Sequence, residues 1–210
     1  AGRPRPAVLG SNVQSFAFSR DGSALAFVAG LTPGRPGDLH AALLAAGDDP
    51  AHLRAQVVAR GVGEFRWAGA PPRLAWLASF DPRVRAGALG VGAPGAPAVS
   101  FGRNVTAFDL SPSGAEVAYL EHVTAGGYSV DLVLSPTARS EPGVVARGVF
   151  GFEFSPDGRW LYYRTRCVRN AEACDLYRLP SAGAKGRDSP ELVAEGVKSF
   201  EFDRQRPGRL

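Results

Sequence analysis

One short pattern, Val-x-x-Phe, occurs five times in this chain, at Val13/Phe16, Val62/Phe65, Val105/Phe108, Val149/Phe152 and Val197/Phe200. Successive valines are 49, 43, 44 and 48 residues apart. Strand-forming residues recurring every 40–50 positions specify an array in which each repeat is one small sheet, because a single such sheet cannot bury its own apolar faces. Two residues after each Phe comes another large apolar side chain: Phe18, Trp67, Leu110, Phe154 and Phe202. The period of two puts both bulky groups on one face of a strand.

A turn signal follows: Ser19-Arg20-Asp21-Gly22, Ser111-Pro112-Ser113-Gly114 and Ser155-Pro156-Asp157-Gly158. Ser caps such a turn, Pro presets φ at its second place and Gly accepts a positive φ at its end. The second repeat has Ala68-Gly69-Ala70-Pro71-Pro72 instead, which predicts a longer or differently shaped hairpin. A second strand is predicted at Ala24–Phe27, Arg73–Trp76, Glu116–Tyr119 and Trp160–Tyr163. Ala at its third place in three of the four copies would let a neighbouring sheet approach closely. A third strand is predicted at His40–Ala45, Val84–Val91, Ser129–Leu134 and Asp175–Leu179. A fourth precedes each Val-x-x-Phe, at Ala7–Leu9, Ala55–Ala59, Ala98–Phe101, Val144–Ala146 and Leu192–Ala194. The expectation is an all-β chain: a β-propeller or partial propeller of four-stranded antiparallel blades. It is read as one domain over 1–210, with repeats at about 7–54, 55–97, 98–142 and 143–190 and a partial fifth at 191–210.

Three segments, Phe16–Gly22, Phe108–Gly114 and Phe152–Gly158, resemble the WD-like repeat of TolB-type propellers, in which an aromatic-x-aromatic-Ser-Pro-Asp-Gly motif leads into an apolar strand. The likeness runs over about residues 7–203 and is shared with the propeller lids of prolyl-oligopeptidase-like proteins. It implies a periplasmic or secreted bacterial setting and protein binding. Repeat five departs from the motif, with Asp203-Arg204-Gln205-Arg206 in the turn. Because the fifth blade is incomplete, the chain is expected to be a piece of a larger propeller, or one whose ring is completed by further chain or another subunit.

Cys167 and Cys174 are the only cysteines, placed where a second strand ends and a third begins. Facing strand ends bring such a pair to disulfide distance, and one staple of this kind suits an oxidising compartment; the alternative is two reduced thiols. The chain has no Met and begins Ala-Gly-Arg-Pro, as after removal of a signal peptide or after trimming. No apolar run approaches the ~18 residues of a membrane span. The net charge of +4 is carried almost wholly by Arg spread along the chain, which argues against the concentrated basic face of a nucleic-acid binder. The cluster Arg164, Arg166 and Arg169 is read as a solvated loop.

No catalytic constellation is found. There is no Gly-x-Ser-x-Gly elbow, and His40, His52 and His122 are scattered without acidic partners or metal-ligand spacing. Gly90–Gly95 matches a dinucleotide-binding glycine pattern, but Ala96-Pro97 cannot open the helix that mechanism needs, so it reads as a loop. The sequon at Asn104 falls at a strand crossing and is not expected to be used. No cofactor or metal is expected. Arg66, Asp109, Glu153 and Glu201 lie between the apolar anchors of their strands, on the opposite face, and are candidates for a polar channel or for ion pairing between blades, Arg66 with Asp109 foremost. Loops linking second and third strands would share a rim, and Arg35, Phe80, Arg83, His122, Tyr128 and Arg169 are the candidates there for contact with a protein partner. The expected function is that of a non-catalytic, exported bacterial interaction scaffold, with a subunit of a cell-envelope assembly as one form of it; the alternative is the propeller portion of a larger prolyl-oligopeptidase-like serine peptidase with its catalysis elsewhere.

Overall fold

The computed structural model describes residues 8–44, 53–122, 130–168, 173–181 and 189–202. These contain sixteen β-strands and no helix. The chain divides into two compact units, Ala1–Arg103 and Asn104–Leu210, each holding two four-stranded antiparallel blades.

In the first unit, blade 1 is built from β1 (Ser15–Phe18), β2 (Ala24–Ala29), β3 (Asp38–Leu43) and β4 (Gln56–Ala59). Blade 2 follows with β5 (Glu64–Ala68), β6 (Arg73–Asp81), β7 (Ala86–Gly92) and the short β8 (Val99–Ser100), whose pairing is prolonged by hydrogen bonds from Leu89 N–H to the Gly102 carbonyl and from Phe101 N–H to the Leu89 carbonyl. In the second unit, blade 3 comprises β9 (Val105–Leu110), β10 (Glu116–His122), β11 (Val130–Pro136) and β12 (Gly143–Arg147). Blade 4 comprises β13 (Gly151–Phe154), β14 (Trp160–Thr165), β15 (Cys174–Pro180) and β16 (Glu191–Val197).

The strand that precedes each Val-x-x-Phe pairs backwards, as the outer strand of the preceding blade. Of the expected first such strand, Ala7–Leu9, Ala7 lies outside the described residues and Val8 and Leu9 have no strand conformation. The third strand of blade 1 also sits two residues earlier than the apolar run suggests. Its place is set by pairing of Asp38 with Ala29 and of Leu39 with Val28, not by the alanines beyond it.

The three Ser-led turns share one network. Ser19 Oγ donates to Asp21 Oδ1 (2.7 Å) and accepts from Ala24 N–H (2.9 Å); Ser155 Oγ donates to Asp157 Oδ1 (2.6 Å) and accepts from Trp160 N–H (2.9 Å). Blade 3 keeps the bond from Glu116 N–H to Ser111 Oγ (3.1 Å), with Ser113 Oγ in place of the carboxylate. All three serines are buried, and each is fully hydrogen-bonded. Blade 2 shows the expected difference in shape but not in length. Trp67 pairs with Leu74 across the same span as Phe18 with Leu25 and Phe154 with Leu161, and a cis Ala70–Pro71 bond makes the turn where the Ser network is absent.

Alternation gives every blade two unlike faces. The leading face carries the Val-x-x-Phe residues; the trailing face carries the alanine of the second strand in blades 1 to 3 and Tyr162 in blade 4. In the first unit the trailing residues Ala26, Val28, Leu39 and Ala41 pack on the leading residues Val62, Phe65, Leu74 and Trp76. In the second, Ala118, Leu120, Leu132 and Leu134 pack on Val149, Phe154, Leu161 and Tyr163. Small trailing side chains let the aromatic leading face approach, which is the close-packed solution for two sheets of this kind. Polar ties cross each contact: Trp67 Nε1–H donates to the Ala17 carbonyl (3.0 Å), and Ser181 Oγ donates to the buried Glu116 carboxylate (2.9 Å). Beyond blade 4, Phe200 and Phe202 stand on its trailing residue Tyr162, with ring centroids 6.2 and 5.1 Å away.

Candidate functional site: a rim depression in the first unit

The loops joining second and third strands are where a rigid blade can present side chains. In blade 1 this loop is a tight turn, with Pro33 and Gly34 at its centre and Arg35 N–H donating to the Thr32 carbonyl (2.9 Å). Its exit is pinned to blade 2: Val62 N–H donates to the Gly37 carbonyl (2.8 Å), and Gly61 N–H to Asp38 Oδ1 (3.1 Å). In blade 2, Phe80 N–H donates to the Gly61 carbonyl (2.9 Å), which draws the Phe80 ring over Gly63. A Cβ at Gly63 would lie 2.3 Å from Phe80 Cγ, so glycine is required there by the close approach. Arg83 follows on an exposed turn closed by its N–H to Asp81 Oδ1 (2.8 Å).

These elements enclose an open depression of about 470 Å³. Its walls are Leu31, Pro33, Arg35 and Pro36 on one side and Phe80 and Pro82 on the other, over a floor that includes Val62. Two of the sequence candidates, Arg35 and Phe80, are therefore brought together. Proline-fixed backbone on both sides makes the shape preformed, and one exposed guanidinium stands on its edge. Such a surface can receive an apolar side chain and an acidic group together; it holds no nucleophile or general base.

The other candidates fall elsewhere. His122 ends β10 in the second unit, half-buried, its N–H donating to the Asn104 carbonyl (3.1 Å). Tyr128 and Arg169 lie outside the described residues, as do His52 and the turn of repeat five. Arg66 forks onto Glu64 two residues back on the same strand face (2.8 and 3.0 Å). Asp109 accepts from Leu110 N–H (3.0 Å), Glu153 is half-buried opposite Tyr162, and Glu201 is exposed. By register Arg66, Asp109 and Glu153 pair with Ala75, Ala118 and Tyr162, on the face opposite the Phe anchors. Within the glycine pattern at Gly90–Gly95, Gly90 has a packing origin, since a Cβ there would come 2.7 Å from the Trp76 indole, whereas Gly95 takes a positive φ of 78°.

Cys167 and Cys174 are joined in a disulfide between the ends of β14 and β15, beside a hydrogen bond from Val168 N–H to the Ala173 carbonyl (2.9 Å). Around it the arginines are engaged. Arg166 lies over the Tyr177 ring (5.8 Å to its centroid) and Arg164 donates to the Lys198 carbonyl; farther along β15, Arg178 forks onto Glu191 while stacking on Trp160 (4.4 Å). Among the described residues, no group of three or more His, Cys, Asp or Glu is placed to hold a metal ion. Sequence reasoning missed one feature altogether. The leading face of blade 1 is open, with Val13, Phe16 and Phe18 exposed to 43%, 66% and 54%.

No protein-family model and no curated protein sequence matches this chain. Solved structures do match in fold. TolB from Acinetobacter baumannii aligns over 88% of this chain and 44% of its own, with a TM-score of 0.53 and 15% identity. The β-propeller domain of the Trilobed protease from Pyrococcus furiosus, described as having an open velcro topology, aligns over 88% of this chain and 58% of its own, with a TM-score of 0.56 and 8% identity. The acylaminoacyl peptidase of Pyrococcus horikoshii aligns over 90% and 33%, with a TM-score of 0.55 and 11% identity. The chain thus spans less than two thirds of each of these. The likeness establishes the fold: a TolB-like β-propeller array.

Proposed function

We propose that this chain is a non-catalytic protein-interaction scaffold of an exported bacterial propeller, binding a partner at the rim depression of the first unit. The observation that carries the proposal is the meeting of Arg35 with Phe80 in one preformed, proline-walled depression. The partner is a protein offering an apolar side chain next to a carboxylate. Export is supported by the Cys167–Cys174 disulfide, a bond that persists in oxidising compartments. A second reading, the propeller portion of a larger peptidase, is supported by the likeness to the two Pyrococcus proteins.

The test is a comparison of wild type with Arg35→Glu and Pro82→Ser, each shown to be folded, as baits for the envelope fraction of the source organism. A specific partner retained by wild type and lost from both variants supports the rim. A partner held equally by all three, or none, rejects it. Peptide hydrolysis by the native protein would favour the second reading.

A further inference from the structure

Register allows the two units to be compared position by position. In blade 4, Leu161 and Tyr163 of the second strand pair with Leu179 and Tyr177 of the third. Leu179 belongs to the core shared with blade 3, and Tyr177 packs against that core with its ring stacked on Tyr163, centroids 5.8 Å apart. In blade 2 the matching pairs are Leu74 with Gly92 and Trp76 with Gly90. Glycine thus leaves both third-strand side chains out, and no residue of β7 belongs to the core between blades 1 and 2. Trp76 takes up part of the room by lying on Gly90. The rest is a cleft of about 400 Å³ between the trailing face of blade 1 and the leading face of blade 2. It opens where β3 and β7 end, at Leu43 and Gly92, whereas the rim depression lies where β3 begins.

The cleft walls are hydrocarbon, from Ala41 and Val58 on blade 1 and from Leu74 and Ala98 on blade 2. Its polar side chains are those of Trp76, Gln56 and Arg54, and no carboxylate lines it. Trp76 is only 5% exposed, and its indole N–H meets no acceptor among the described residues. No fully buried side-chain nitrogen or oxygen among those residues lacks a partner, so this N–H is reached through the cleft. A buried indole N–H ordinarily finds an acceptor, and a ligand oxygen placed here would supply one. Arg54, exposed with its Nη1 donating to the Leu53 carbonyl (2.9 Å), adds positive charge at the mouth. Such a lining suits hydrocarbon joined to an anionic acceptor, and the volume lies in the ordinary range of small-molecule sites. We propose that the cleft between blades 1 and 2 binds a small organic acid. Its hydrocarbon body stands where Tyr177 and Leu179 stand in blade 4, and an oxygen accepts from the Trp76 N–H in the field of Arg54. This site is separate from the rim depression and does not depend on the function proposed for it.

The test titrates hydrocinnamate, a phenyl ring on a short carboxylic acid, into the isotope-labelled full chain. The indole N–H signals of Trp67, Trp76 and Trp160 are followed by NMR, with Trp76→Phe to assign them. The Trp76 signal should move saturably, with a dissociation constant on the order of 1 mM for a ligand of this size, while the other two stay in place. Gly92→Leu, which restores the side chain that blade 4 carries, should abolish the movement. Arg54→Gln, an exposed change that leaves the core intact, should weaken binding at least about fivefold, and so should replacing the probe by its neutral amide. A Trp76 signal that does not move, or movement of all three signals alike, would overturn the proposal. So would equal binding of the amide, or unchanged affinity in Arg54→Gln or in a folded Gly92→Leu variant.

Discussion

Phe18 and Phe154 hold the same place in the same motif, two residues beyond the Phe of Val-x-x-Phe, and differ only in what faces them. Phe154 is 5% exposed within the core shared with Ala118, Leu132 and Leu134, whereas Phe18 is 54% exposed. Truncation of a buried Phe removes its transfer free energy and leaves a cavity, together about 3–5 kcal/mol, while surface truncation stays within about 0.5 kcal/mol. For a chain of this size each kcal/mol moves the midpoint by ~2–4 °C, so Phe154→Ala should melt roughly 6–20 °C below wild type and Phe18→Ala within about 2 °C of it. Both are read by thermal and urea unfolding followed through the fluorescence of Trp67, Trp76 and Trp160. Equal losses in the two variants of the isolated protein would refute the reasoning, because the leading face of blade 1 would then be covered in solution by the chain itself.

Three further outcomes follow from local chemistry. The Ser155 hydroxyl, then the Arg159 N–H, holds the Asp157 carboxyl below its ordinary value of 3.8, and Ser19 and then Ser23 do the same for Asp21. A depressed carboxylate stabilises the fold in full above its unfolded pKa and loses that contribution as pH falls through the folded value. Wild type should therefore lose stability below about pH 4 more steeply than Asp21→Asn/Asp157→Asn, measured by urea midpoints against pH. Burial pushes the Tyr119 and Tyr163 phenols from 10.0 up to about 12, so these hydroxyls stay neutral in the fold and stability should decline as pH rises from 10 toward 12; ultraviolet difference titration would show the two late phenols. Reduction of the Cys167–Cys174 bond, which closes a loop of sequence separation 7, should cost ~2.5 kcal/mol in the chain-entropy picture, seen as a lower urea midpoint under dithiothreitol.

The repeat was legible because its signal is redundant. Val-x-x-Phe marks the inner strand, Ser-x-x-Gly marks three of the turns, and both recur at the spacing of blades. Where one signal stood alone, position was read less well. The run Ala41-Ala42-Leu43-Leu44 drew the third strand of blade 1 two residues too far, since alanine carries little β preference and the pairing partner decides. Pro71 and Pro72 suggested a longer or differently shaped hairpin; the shape differs, while register with Leu74 keeps the span the same. Arg35 and Phe80 could be nominated from loop composition. Their meeting could not, because it depends on backbone bonds from Val62 to Gly37 and from Phe80 to Gly61, between residues 25 and 19 apart in sequence. The open face of blade 1 was invisible for a related reason: Phe18 and Phe154 are identical as sequence, and exposure belongs to the neighbour.

The unlikeness of the two faces also fixes how a blade can be covered. Were two leading faces to meet, rings would stand against rings, as Phe16 and Phe18 against another such pair, and two trailing faces would set Ala26 against Ala with a void between. Either mismatch in volume costs on the order of 1–3 kcal/mol per site, by overpacking or by lost contact. Aromatic on alanine fills the space, as Trp76 does beside Ala26 and Tyr163 beside Ala118. The favoured contact is thus always leading on trailing, a heterologous pairing with a direction. A two-fold dimer through the open strip of blade 1 is disfavoured by the same side-chain volumes that stabilise the interior of each unit. The cover those volumes select is the trailing face of a blade.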